Sequence, residues 1–131
     1  ELRLPGRMVN ISSIGGFHYS GGGAALYSIT KAGVNRLTET LAVEWSRFGI
    51  NVNAIAPGVV DGDHWDHVDS MFAKLEGKAP GQKKAEVAAG VPAGRFAVPA
   101  DLTGMAIFLA SEDANYIVSQ TYNVDGGQWM S

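Results

Sequence analysis

The sequence predicts an α/β fold in which parallel strands alternate with crossover helices. Three observations carry that expectation. Short β-favouring segments occur near residues 7–11, 50–56 and 120–124. Between them lie stretches with apolar residues at helical spacing, and Pro57-Gly58 and Gly126-Gly127 close the second and third of these segments. With 131 residues, 46% hydrophobic and 18% charged, the chain has the size and composition of one packed unit.

Arg7-Met8-Val9-Asn10-Ile11 lies between Pro5-Gly6 and Ser12-Ser13 and reads as a buried strand. Residues 15–23 hold five glycines with Tyr19 and Ser20, a loop by composition. From Ala24 to about Phe48 the pattern is helical, with Leu37, Leu41, Trp45 and Phe48 in a stripe and Gly49 at the C′ position. That stripe reads as core or as an oligomer interface. Ile50 to Ala56 form a second strand, stopped by Pro57-Gly58. Residues 61–90 are polar, interrupted by Gly77, Pro80 and Gly81, and read as one or two short helices in a mobile insertion. Pro99-Ala100-Asp101 opens a helix reaching about Ser111, with Pro99 in its first turn. Gln120 to Val124 is the last strand, closed by Asp125-Gly126-Gly127.

Composition narrows the function. A net charge of −3 argues against nucleic acid as the main partner, because phosphate binding needs clustered Lys and Arg. With no cysteine there is no disulfide framework and no thiolate metal site. The longest apolar run, Met105 to Ala110, is far too short to span a bilayer. A cytoplasmic protein with no membrane partner is the expectation. The chain opens Glu1-Leu2-Arg3 without an initiator methionine, which fits a piece of something longer.

The chemistry centres on Tyr27 and Lys31. Four residues apart on a helix, they are rotated by about 40° and share one face. An ammonium near a phenol favours the phenolate, the condition for a tyrosine to serve as acid and base near neutral pH. Ser12-Ser13 and Pro57-Gly58 end the first two strands, and ligands bind at that carboxyl edge of an open parallel sheet.

Asn10-Ile11-Ser12-Ser13, Tyr27-x-x-x-Lys31, Asn51-Val52-Asn53-x-x-x-Pro57-Gly58 and Asn123-Val124-Asp125-Gly126-Gly127 together resemble the second half of a short-chain dehydrogenase/reductase. The motifs stand in family order across nearly the whole chain. Residues 53–61, 102–109 and 116–131 look most like the sorbitol and galactitol dehydrogenases of that family. The resemblance implies a Rossmann-like doubly wound sheet, of which these three strands and their crossover helices form the second half only. It implies an NAD-dependent oxidoreductase acting on a polyol, assembled as a homo-oligomer, usually a tetramer, through residues 24–48 and 123–131. Ser13 would hydrogen-bond the substrate oxygen. Tyr27 would take the hydroxyl proton, and Lys31 would favour the phenolate and bind the nicotinamide ribose. Pro57, Gly58 and the Val60 backbone would line the nicotinamide. His64 and Trp65 would meet the sugar hydroxyls and carbon chain. Ser13 is preferred to Ser12, which points to the other face of the strand.

The chain departs from the family pattern in four ways. The Ser13-to-Tyr27 interval is one residue longer, Ile29 replaces a small residue, and Gly62 stands where a threonine is usual. No Gly-x-Gly-x-x-Gly occurs, since Gly21-Gly22-Gly23 is followed by Leu26 where the last glycine belongs. The expectation is a fragment lacking the dinucleotide-binding half and, by itself, inactive or weak in binding NAD. Its alternative role is a non-catalytic oligomerisation module. Two smaller patterns point to other chemistry. Ser28-x-x-Lys31 matches acyl-enzyme motifs without their companions. His64, Asp66 and His67 read as loop residues over a pocket sooner than as metal ligands.

Overall fold

The structure, a computed structural model, describes residues 6–18 and 23–130. Strand β1 (Gly6–Ile11) is followed by a 3-10 turn (Ile14–Gly16), helix α1 (Ala25–Trp45) and a second 3-10 turn (Ser46–Phe48). Then come β2 (Ile50–Pro57), α2 (Asp63–Glu76), α3 (Gln82–Ala89), α4 (Pro99–Ala110), a third 3-10 turn (Glu112–Ala114) and β3 (Thr121–Val124). The three strands form one parallel sheet in the order β1-β2-β3. The expected strand and helix order is therefore observed. Of the expected glycine loop, residues 19–22, with Tyr19 and Ser20, lie outside the described residues.

The register explains how one short sheet carries a core on each face. Val9 pairs with Asn53 and Ile11 with Ile55, while Met8 and Asn10 pair with Val52 and Ala54. Side chains alternate along a strand. Asn10 meets α1 through a hydrogen bond from its Nδ2 to Thr38 Oγ1 of 2.9 Å. On the other face Ile55, Leu109 and Ala114 make a cluster with Val9, Met105, Ile117, Tyr122 and Val124 around it. Central β2 is thus covered on both sides, and Val52, Ala54, Ile55 and Ala56 are fully buried. That is the usual state of a parallel sheet.

Helix α1 differs from its apolar pattern. Its buried residues are Asn35, Thr38 and Ala42, while Leu37 and Phe48 are exposed. The Leu37/Leu41/Trp45/Phe48 stripe is therefore not the core-facing side. Small and hydrogen-bonding residues let the helix lie close to the sheet, while the stripe is split between exposed Leu37 and Phe48 and half-buried Leu41 and Trp45. Gly49 ends this segment at φ 78°, the left-handed conformation expected of it.

Residues 61–90 fold as a helical pair. Gly77, at φ 66°, ends α2. The buried Asp69 side chain then accepts from Gly81 N (2.6 Å) and Lys84 N (2.8 Å), tying the start of α3 to α2. The segment returns to the sheet body through a parallel bridge between Val60 and Ala97.

Candidate active site

A cleft of about 550 Å³ opens at the carboxyl ends of β1 and β2. All eight residues assigned to the site from sequence line it: Ser13, Tyr27, Lys31, Pro57, Gly58, Val60, His64 and Trp65. Ser28 does not line it. Its hydroxyl is buried and has no hydrogen-bond partner among the described residues, so the Ser28-x-x-Lys31 pattern presents no open nucleophile.

Each central side chain is positioned by local structure. Ser13 caps the 3-10 turn after β1, its Oγ accepting from Gly15 N at 3.1 Å. Its hydroxyl hydrogen has no acceptor among the described residues and can point into the cleft. Gly15 separates Ser13 from Tyr27. A Cβ at Gly15 would lie 3.5 Å from Ser13 Oγ and 3.4 Å from Tyr27 Cε1, ordinary contact distances, so both side chains border the space beside this residue. Tyr27 sits in the first turn of α1 and is 46% exposed, reachable from the cleft. One turn on, the Lys31 ammonium donates to Ile11 O at 3.0 Å and lies 5.8 Å from the centre of the Tyr27 ring. That bond uses one of its three hydrogens and leaves two for a ligand.

Behind this trio lies a brace that sequence reasoning missed. The buried Ser12 hydroxyl donates to Asn35 Oδ1, with Lys31 O a second acceptor at 3.2 Å. Both serines border the cleft just past the end of β1, but the Ser12 hydroxyl is tied to α1 while Ser13 caps the 3-10 turn. Gly16 packs on the same helical turn, and a Cβ there would come within 2.8 Å of the Lys31 carbonyl carbon. Asn35 carried no local signal, because its role exists only once β1 and α1 are packed.

The opposite wall comes from the chain's last turn. Val59 N donates to Gln128 Oε1 at 2.9 Å, and Asp125 accepts from Gly127 N (2.9 Å) and Trp129 N (2.8 Å). Gln128 and His18, the latter stacked on Trp129 with centroids 4.5 Å apart, also line the cleft. Neither was expected from sequence. The Asp-Gly-Gly turn chemistry was visible, but not that the turn would pack against Pro57-Gly58. Trp65 stands edge-on to buried Phe96 at 4.9 Å, and His64 edge-on to Trp65 at 6.5 Å.

Among the described residues no three His, Cys, Asp or Glu side chains gather as a metal site. Asp66 is taken instead by Lys84, at 2.6 Å. Among the described residues, too, no helix is long and apolar enough to cross a membrane.

Comparison with known proteins adds the following. A family model described as enoyl-(acyl carrier protein) reductase matches residues 2–128. Galactitol 2-dehydrogenase of Agrobacterium fabrum is 54% identical over 126 residues, which cover 96% of this chain and 49% of that protein. Sorbitol dehydrogenase of Cereibacter sphaeroides is 55% identical over 129 residues, again 96% of this chain and 49% of that protein. The chain spans about half the length of these curated relatives. The crystal structure of actinorhodin polyketide ketoreductase with NADPH superposes with a TM-score of 0.86 at 34% identity. The match covers 94% of this chain and 47% of that one.

Proposed function

The chain belongs to the short-chain dehydrogenase/reductase family, and on that premise we propose that it is the catalytic half of an NAD-dependent polyol dehydrogenase. The reaction interconverts a secondary alcohol of a sorbitol-like polyol with the corresponding ketone. The observation that carries this reading is the meeting of Ser13, Tyr27 and Lys31 at the mouth of one cleft.

The donor set fits the nicotinamide end of a dinucleotide. Lys31 has ammonium hydrogens left over for ribose hydroxyls, and the Pro57–Val60 backbone forms a wall for a flat ring. Bound there, NAD supplies the acceptor for the hydride leaving the alcohol carbon. Ser13 Oγ donates a hydrogen bond to the alcohol oxygen and holds it beside Tyr27. Tyr27 Oη takes the hydroxyl proton as the carbonyl forms, and returns it in the reductive direction. The Lys31 charge offsets negative charge developing on these oxygens. His64 and Trp65 line the cleft where the remaining hydroxyls and carbon chain would lie.

NAD is chosen over NADP on likeness to the polyol dehydrogenases, and a cytoplasmic homotetramer on the same ground. The chain carries no Gly-x-Gly-x-x-Gly loop, so the 131 residues alone should bind NAD weakly in a titration. The exposed Leu26, Ile29, Leu37 and Val43 of α1 favour a second reading, a non-catalytic module that assembles through this helix.

The deciding experiment follows nicotinamide absorbance with sorbitol or galactitol, supplying NAD or NADP in parallel, for the longer protein of which this chain is proposed to be the catalytic half and for its Tyr27→Phe variant. Turnover that falls about 10²–10⁴-fold in the variant is the expected result. Full turnover in Tyr27→Phe would refute the assigned chemistry. Oligomerisation with no turnover by either protein would favour the module.

A further inference from the structure

The cleft wall that carries His64 and Trp65 packs on Phe96 and is also tied to its neighbours by a side chain from outside the cleft. Lys84, on α3, reaches both Asp61 Oδ1 and Asp66 Oδ1 at 2.6 Å. The two carboxylates belong to different segments. Asp61 lies just past β2 and is fastened to the sheet body, its backbone N–H donating to Ala97 O at 2.8 Å. Asp66 lies in the first turn of α2, next to Trp65. Lys84 is itself fixed, since its backbone N–H donates to buried Asp69. Its ammonium also lies 5.9 Å from the Phe96 ring, the same buried ring that Trp65 packs against.

The remaining ion pairs of this helical pair sit at its far end. Lys78 joins Glu76 and Glu86, and Lys83 joins Glu76. None reaches the first turn of α2. That turn carries Asp63 and Asp66, with Asp61 two residues ahead of it. Without an ammonium between them, the Asp61 and Asp66 carboxylates would repel, loosening the first turn of α2 that Trp65 anchors on Phe96.

We infer that Lys84 is a positioning residue, a latch that sets the first turn of α2, and with it His64 and Trp65, against the cleft. It touches no reacting atom. The inference rests on the proposed polyol site for its kinetic consequence, and on the ion-pair geometry alone for its structural one. Because the pairs are partly open to water, the latch is weak and salt-sensitive. It tunes substrate fit without being needed for folding.

The test measures two quantities in that longer protein, the parent, and in its Lys84→Met and Lys84→Arg variants. The first is hydrogen exchange across 63–76 without ligand, and the second is KM and kcat for the polyol at low and high salt. Lys84→Met should speed exchange in the first turn of α2 and raise KM about two- to five-fold, moving kcat less. Lys84→Arg should restore both. High salt should raise KM in the parent and leave the Met variant unmoved. Exchange in Lys84→Met equal to the parent would overturn the latch, as would a salt response that survives the substitution. If Lys84→Met does not fold, Lys84→Arg exchange and the parent's own salt-dependent exchange still decide the matter. Should the parent show no turnover, the polyol reading fails while exchange continues to judge the latch.

Discussion

Gly58→Ala tests whether the end of β2 and the final Asp-Gly-Gly turn are packed as tightly as the cleft requires. A Cβ built at Gly58 would lie 2.3 Å from Gln128 Oε1 and 2.9 Å from both Cα and Cβ of Asp125. The amide of Gln128 can swing aside, but Val59 N then loses its acceptor, at about 1 kcal/mol. Asp125 cannot yield so easily, because its carboxylate is already committed to Gly127 N and Trp129 N. Forcing a methyl group against such a backbone costs about 1–3 kcal/mol, so the total is about 2–4 kcal/mol. In urea this corresponds to a midpoint lowered by roughly 1–2 M at an unchanged slope. Gly104→Ala is the internal control. It lies in α4 with nothing within 4 Å of an added Cβ, so it should stabilise by about 0.5–1 kcal/mol. A Gly58→Ala protein with the parent's midpoint, measured beside that control, would show that the turn does not press on the strand end.

Two further outcomes can be checked with the same preparations. Asn53 is 1% exposed and bridges two loop groups, its Nδ2 donating to Ile117 O at 2.8 Å and its Oδ1 accepting from Gln120 N at 3.0 Å. Asn53→Ala should cost about 2–4 kcal/mol in chemical denaturation, and a loss under about 0.5 kcal/mol would rule out that bridge as a stabilising element. Asp101 accepts from both Arg95 guanidinium nitrogens and from Val98 N. The Arg95 hydrogen bonds, with that from Val98 behind them, hold its carboxyl down to about 2. Its folded value is thus below the unfolded one of about 3.9. The stability it contributes is complete above that pH and is lost as pH falls from about 4 to about 2. Asp101→Asn should flatten that part of the acid limb in thermal melts, and superimposable acid limbs would refute the assignment.

Much of this site was legible before any coordinates. The strand and helix order followed from β-favouring runs punctuated by Gly and Pro, because strand ends and helix stops are local chemistry. The Tyr27-x-x-x-Lys31 face followed from helical spacing alone. What the chain could not disclose by itself is which partners meet across long separations. Helix α1 buries Asn35, Thr38 and Ala42 and leaves Leu26, Ile29, Leu37 and Val43 outside, since only small or hydrogen-bonding residues fit between helix and sheet. Gln128 bonding to Val59, Asn53 to Ile117, and Lys84 spanning Asp61 and Asp66 likewise depend on packing. Periodicity and turn chemistry are written residue by residue, whereas a polar group's partner is chosen only when distant segments are brought together and each buried donor must find an acceptor.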